Sequence, residues 1–159
     1  MSEASANAES AAVVAPGCVF VTGRRGTGKT RWLQARIAAL PPAECGVVVM
    51  EEGRTRWEKF AAASPGLAVE KLFPPCICCP GLAGLSRAVR ALAERAGMRR
   101  IFIELPLIAT PGLLAEFDRD PAWPRELVLL RPAAGPLLPA EELLALEADA
   151  SARDLAFAP

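Results

Sequence analysis

The sequence predicts an α/β domain, a parallel sheet of about five strands with helices on both faces. Short, continuously apolar, β-branched runs read as buried strands. Stretches with apolar residues at helical spacing alternate with them. The polar and cysteine-bearing stretches follow strands, so a parallel sheet gathers them at one edge, the C-terminal ends of its strands.

Residues 1–15 are rich in Ala, Ser and Glu and are expected to form a disordered tail. They contain Glu3 and Glu9 but no Lys or Arg, which does not suit a signal peptide. Cys18 to Thr22 is the first strand. Gly23-Arg24-Arg25-Gly26-Thr27-Gly28-Lys29-Thr30 follows, a GxxxxGKT loop. The next helix, Arg31 to Leu40, places Leu33, Ile37 and Leu40 on one face and stops at Pro41-Pro42. Strand, GxxxxGKT and helix in that order is the context of a phosphate-binding loop and predicts a P-loop NTPase fold. Its glycines let backbone N–H groups wrap a phosphate chain, and the helix N-terminus adds partial positive charge. Gly23 through Arg31 are therefore candidate nucleotide contacts. Lys29 is expected to reach the β- and γ-phosphates, and the Thr30 hydroxyl to bind Mg²⁺.

Val47 to Met50 is the second strand, with Glu51-Glu52-Gly53 at its end. A short helix through Trp57 and Phe60 ends near Ser64-Pro65-Gly66, and Leu67 to Phe73 reads as the third strand. Pro74 to Gly81 is expected as a rigid loop. Leu82, Leu85, Val89, Leu92 and Ala96 mark an amphipathic helix ending at Gly97. Ile101 to Leu105 is the fourth strand, residues 111–118 a short helix, and Leu127 to Leu130 the fifth strand. Pro132, Pro136 and Pro139 stiffen the connection to a last helix, Glu141 to Ala150. The predicted domain thus spans 16–150, with 151–159 as a C-terminal tail.

Cys76, Cys78 and Cys79 form C-x-C-C. Thiolates this close suit a soft or borderline ion such as Zn²⁺, Cu⁺ or Co²⁺. Three protein ligands leave a fourth position open, which favours transfer over scaffolding. Three buried small hydrophobes, or a redox pair, are the other readings of the same residues. Cys18 and Cys45 read as core. Glu104 ends an apolar strand, as a Walker B acid does, and is a candidate to orient the Mg²⁺ shell or the attacking water; a helix cap is its alternative. Glu51 has the same placement and reads either as a solvated strand end or as a switch or metal ligand.

Composition bounds the function. A chain of 159 residues with 52% hydrophobic and 23% charged residues makes one domain with a real core. Lys+Arg and Asp+Glu number 18 each, which does not suggest a nucleic-acid binder. There is no His, so the commonest general base is absent. The apolar runs are too short to span a bilayer. The odd cysteine count, 5, points to a reducing cytoplasm.

Together these stretches resemble the CobW-like GTPases, metal-handling proteins of the P-loop class. Val21 to Leu33 is similar to that family's V-T-G-F-L-G-x-G-K-T-T-L-L. Val47 to Gly53 resembles its strand followed by N-E-F-G, placing Glu51 on the motif glutamate. Pro75 to Cys79 resembles G-C-I-C-C. Glu104 to Pro111 resembles E-T-T-G-L-A-D-P and matches at Glu104, Ala109 and Pro111. The resemblance implies a nucleotide-dependent metallochaperone that uses Mg²⁺ with GTP or ATP, carries Zn²⁺ or Co²⁺ on the cysteines and Glu51, and serves a client metalloprotein or partner protein. Leu107 stands where the family has the glycine that senses the γ-phosphate, and Pro106 beside it has no N–H. The guanine-reading N-K-x-D is missing: the only Asn is Asn7, and none of Lys29, Lys59 and Lys71 precedes an Asp two residues on. The chain is also expected to lack the family's C-terminal domain and so reads as a shortened, divergent member. Slow hydrolysis is expected, with a non-hydrolysing nucleotide or metal sensor, and a small P-loop kinase or ATPase, as the competing readings.

Overall fold

The computed structural model describes residues 15–73, 79–119, 123–131 and 139–156. Residues 1–14 of the expected tail, the proline-rich stretch 132–138, Cys76 and Cys78 lie outside them. Five strands form one sheet: β1 (Gly17–Gly23), β2 (Cys45–Val49), β3 (Ala68–Lys71), β4 (Arg100–Glu104) and β5 (Arg125–Leu130). Their order is β3-β2-β4-β1-β5 and every pairing is parallel. Val21 and Val49 both stand opposite Glu104. The loops leaving β1, β2 and β4 therefore emerge side by side at the same level.

Both faces of the central strands β1, β2 and β4 are buried, as their apolar sequences require. Successive residues alternate between two cores. Phe20, Val48, Ile101 and Ile103 face one core, which α3 (Cys79–Ala93), α4 (Thr110–Phe117) and α5 (Ala140–Ala156) cover through Leu85, Leu113 and Leu144. Val19, Val21, Val47 and Phe102 face the other, covered by α1 (Lys29–Ala38) and α2 (Trp57–Ala62) through Leu33, Ile37 and Trp57. Each such side chain contributes about 1.5–3 kcal/mol by leaving water. The expected parallel α/β sheet with helices on both faces is the observed one.

Several boundaries differ from expectation. α3 begins at Cys79 rather than after Gly81. Pro80 falls in its first turn, where a missing N–H costs nothing. The helix ends at Ala93, and Gly97, with φ +81°, lies in the turn beyond it. α5 continues to Ala156, so 151–156 are helix and not tail. An ion pair between Arg153 and Asp149, 2.5 Å long and one helical turn apart, favours that extension, as does the alanine content. β3 is shorter than the predicted 67–73, and 3-10 turns at Pro42–Glu44 and Leu107–Ala109 were not anticipated.

Candidate functional site

The loop from β1 into α1 depends on two glycines. A Cβ on Gly23 would lie 2.3 Å from the carbonyl oxygen of Leu130, so only glycine lets the loop pass the end of β5. Gly28 caps α1 in the left-handed conformation, with φ 89° and ψ 20°. No side chain caps this helix end and its first turn has no acid. The N–H groups there are left to an anion, and the helix dipole favours one. The Thr27 hydroxyl donates to the carbonyl of Arg24 at 2.8 Å and closes the loop on itself.

Lys29 is almost fully buried. Its Nζ donates to the carbonyl oxygens of Gly23 at 2.7 Å and Arg24 at 3.3 Å. The same ammonium lies 2.6 Å from Glu51 Oε2. One residue on, Thr30 Oγ1 donates to Glu104 Oε1 at 2.5 Å, and Trp57 Nε1 donates to Glu104 Oε2 at 2.9 Å. Glu104 is 2% exposed. Burial pushes its carboxyl above the usual carboxylate range, against the two hydrogen bonds and the charge of Lys29. Trp57 is the residue that sequence reasoning missed, because it was read only as an apolar helix position. A buried indole N–H needs an acceptor, and that was the available signal.

The segment between β2 and α2 is held at several points. Glu51 is on Lys29. Glu52 accepts from Lys71 at 2.8 Å and from Arg56 at 2.9 Å. Lys71 also pairs with Glu58. The segment after β4 is fastened too. The Thr110 hydroxyl donates to the Pro106 carbonyl at 2.8 Å, so Thr22 donates to Thr110 across 2.7 Å. This chain ties the 3-10 turn to β1, with Leu107 buried beneath it.

Lys29, Thr30, Glu51 and Glu104 meet at an open cleft of about 800 Å³. Of the predicted site residues, Arg25, Gly26, Gly28, Lys29, Thr30, Arg31, Glu51 and Glu104 face it, joined by Gly53, Arg54, Thr55 and Arg56. Gly23 and Thr27 shape the loop from behind. Arg24 Nε instead reaches Glu147 of α5 at 3.1 Å, and Glu147 also accepts from Arg131 at 2.9 Å. A second cavity, of about 740 Å³, opens at the N-terminal edge of the sheet, and none of the predicted site residues lines it.

Cys76 and Cys78 lie outside the described residues. Cys79 opens α3, and its side chain is likewise undescribed. The cysteine loop leaves β3, which β2 separates from β4. With strands about 4.8 Å apart, that exit is about 10 Å from the end of β4 and Glu51 lies between. Among the described residues no group of three or more His, Cys, Asp or Glu could hold a metal ion. Cys18 and Cys45 are free thiols in the core. Burial pushes Cys18 up to about 12 and raises Cys45. Among the described residues no helix is long and apolar enough to cross a membrane.

The sequence profile described as "CobW/HypB/UreG, nucleotide-binding domain" matches residues 17–130. That span runs from the first residue of β1 to the last of β5. A comparison with curated proteins finds no match.

Proposed function

The chain belongs to the CobW/HypB/UreG nucleotide-binding family, and from that premise we propose a nucleotide-dependent metal-binding protein, a metallochaperone or insertase that hydrolyses GTP or ATP slowly. The observation that carries this is the cluster at the start of α1, where an uncapped helix N-terminus, a buried lysine and a buried threonine–carboxylate pair meet at one cleft. Backbone N–H groups of the loop cradle the β-phosphate, Lys29 binds β- and γ-oxygens, and Arg25 and Arg31 add charge at the rim. Thr30 Oγ1 and Glu104 are hard oxygen donors side by side, the donor set that suits Mg²⁺. When bound, Mg²⁺ neutralises charge on the β- and γ-phosphates. Trp57 holds Glu104 in place and keeps water from one of its oxygens.

Cys76, Cys78 and Cys79 take Zn²⁺ or Co²⁺ as cargo, with Glu51 as a further ligand, and pass it to a client metalloprotein. The free thiols of Cys18 and Cys45 suit a reducing cytoplasmic setting. Phosphate arriving at Lys29 displaces Glu51, and that carboxylate is then free for the cargo metal. Nucleotide and metal are thereby linked, and each tightens the other by the same factor.

A non-hydrolysing sensor that docks on a partner protein is the second reading. The Thr22–Thr110–Pro106 chain favours it, since it holds the turn after β4 closed and Pro106 has no N–H to offer a γ-phosphate. Calorimetry with GTP and ATP tests the shared ground: Lys29→Ala abolishes binding while the fold, by circular dichroism, stays. Unchanged affinity in that variant overturns nucleotide binding at this loop. Competition with a chromophoric chelator for Zn²⁺ and Co²⁺, in apo, diphosphate and non-hydrolysable triphosphate states, tests the carrier. The triphosphate state holds metal most tightly; equal affinity in all three removes the coupling. Multiple-turnover phosphate release separates the slow NTPase from the sensor.

A further inference from the structure

The cleft contains more positive charge than its own acids balance. Lys29 is paired with Glu51, and Arg56 with Glu52. Arg25, Arg31 and Arg54 line the same cleft, and among the described residues none of them has an ion pair or hydrogen bond. Arg25 and Arg31 belong to the phosphate-binding loop and the first turn of its helix. Arg54 does not. It comes from the β2–α2 segment.

That segment is anchored on both sides of Arg54. Glu51 and Glu52 precede it, fixed by Lys29 and Lys71. Arg56 and Trp57 follow, fixed by Glu52 and Glu104. The backbone at Arg54 is therefore fixed at the cleft that Lys29 and Thr30 also line, while its guanidinium stays free. The exit of β4, at Pro106 and Leu107, is the side from which it withholds a donor: Pro106 has no N–H, Leu107 is buried, and Thr110 locks the turn.

Building on the nucleotide reading above, we propose that Arg54 is the specificity-determining residue that distinguishes a triphosphate from a diphosphate. Its fork of N–H donors contacts the terminal phosphoryl group from the β2–α2 segment. A diphosphate, held by the loop and Lys29, does not extend to it. Charge on the β2–α2 segment thus replaces a backbone donor after β4, and the pairs of Glu52 with Lys71 and Arg56 still hold the segment once a phosphate has displaced Glu51 from Lys29.

The test measures affinities for the β,γ-imido triphosphates of guanosine and adenosine against GDP and ADP, with Mg²⁺ at fixed ionic strength. The proteins are the full-length wild type, Arg54→Ala, Arg54→Lys and Arg25→Ala. The wild type prefers the triphosphate. Arg54→Ala loses about tenfold to a hundredfold of triphosphate affinity and keeps its diphosphate affinity within about twofold, while Arg54→Lys recovers part of the loss. Arg25→Ala weakens both nucleotides alike, as a rim charge does. A wild type without preference, an Arg54→Ala that keeps it, or an Arg54→Ala that weakens both nucleotides equally overturns the assignment. Wild type binding neither nucleotide overturns the nucleotide reading itself, and with it this one. Arg54 is exposed and unpaired, so folding of its variants is not at risk.

Discussion

The Lys29 ammonium and the Glu51 carboxylate are 2.6 Å apart, at the point where the phosphate-binding loop expects an anion. Glu51 stands in for a phosphate. It keeps a nearly buried ammonium from being an uncompensated charge, and it must leave when a nucleotide enters. Glu51→Gln therefore tightens diphosphate binding. The pair is partly open to water and is worth about 1 kcal/mol, or about fivefold in affinity. Calorimetry with GDP in EDTA checks this without Mg²⁺ contributing, and equal or weaker binding by the variant contradicts the competition.

Glu104 carries a cost that its hydrogen bonds do not remove. Its folded pKa is raised, so from the ordinary carboxylate range up to that raised value stability falls as pH rises. Glu104→Gln keeps the shape and can still accept from Trp57 while its amide donates to Thr30. The nucleotide-free variant melts at a higher temperature at neutral pH, and the gain shrinks as pH drops through the carboxylate range. The same variant loses the increment in triphosphate affinity that Mg²⁺ confers. Lower thermal stability at neutral pH would show that the ionised group is net stabilising here.

Alkaline stability reports on Cys18. Its thiol is raised from 9.0 to about 12 by burial. Above pH 9 the unfolded chain gives up this proton and the folded chain does not, so stability is complete below that value and falls above it. The slope approaches about 1.4 kcal/mol per pH unit from this group. Urea unfolding at pH 8 and pH 10.5 in reductant, on wild type and Cys18→Ala, isolates it. The difference between the two proteins narrows at the higher pH; a constant difference means that Cys18 ionises in the folded state.

Base discrimination is expected to be weak, with GTP and ATP bound within about tenfold of each other. Reading guanine takes an acid that accepts from the base N–H groups, worth about 1–3 kcal/mol. After β5 the chain has Arg131, whose guanidinium is engaged by Glu147, and no N-K-x-D exists anywhere in the sequence. Competition of each nucleotide against a fluorescent diphosphate checks this, and a thousandfold preference for GTP would show that another segment reads the base.

The sequence by itself determined what depends on neighbouring residues. The strand, glycine loop and helix around Lys29 were legible because glycine conformations, helix starts and proline stops are local properties. The fold class followed, since buried strands alternating with helices have few ways to pack. The faults at the ends of α3 and α5 were local as well, in Pro80 at a first turn and in a helix favoured past Ala150. Pairings across the sheet belong to tertiary structure alone. Thr30 and Glu104 are 74 residues apart, Thr22 and Thr110 are 88, and Arg24 and Glu147 are 123. Hydrophobic periodicity says which face of a strand is buried, but not which strands are neighbours or in what register. Setting Val21 and Val49 both opposite Glu104 brought three strand ends level. That register put Trp57 on Glu104 and Glu51 on Lys29, and the same packing turned Arg24 away from the cleft toward α5.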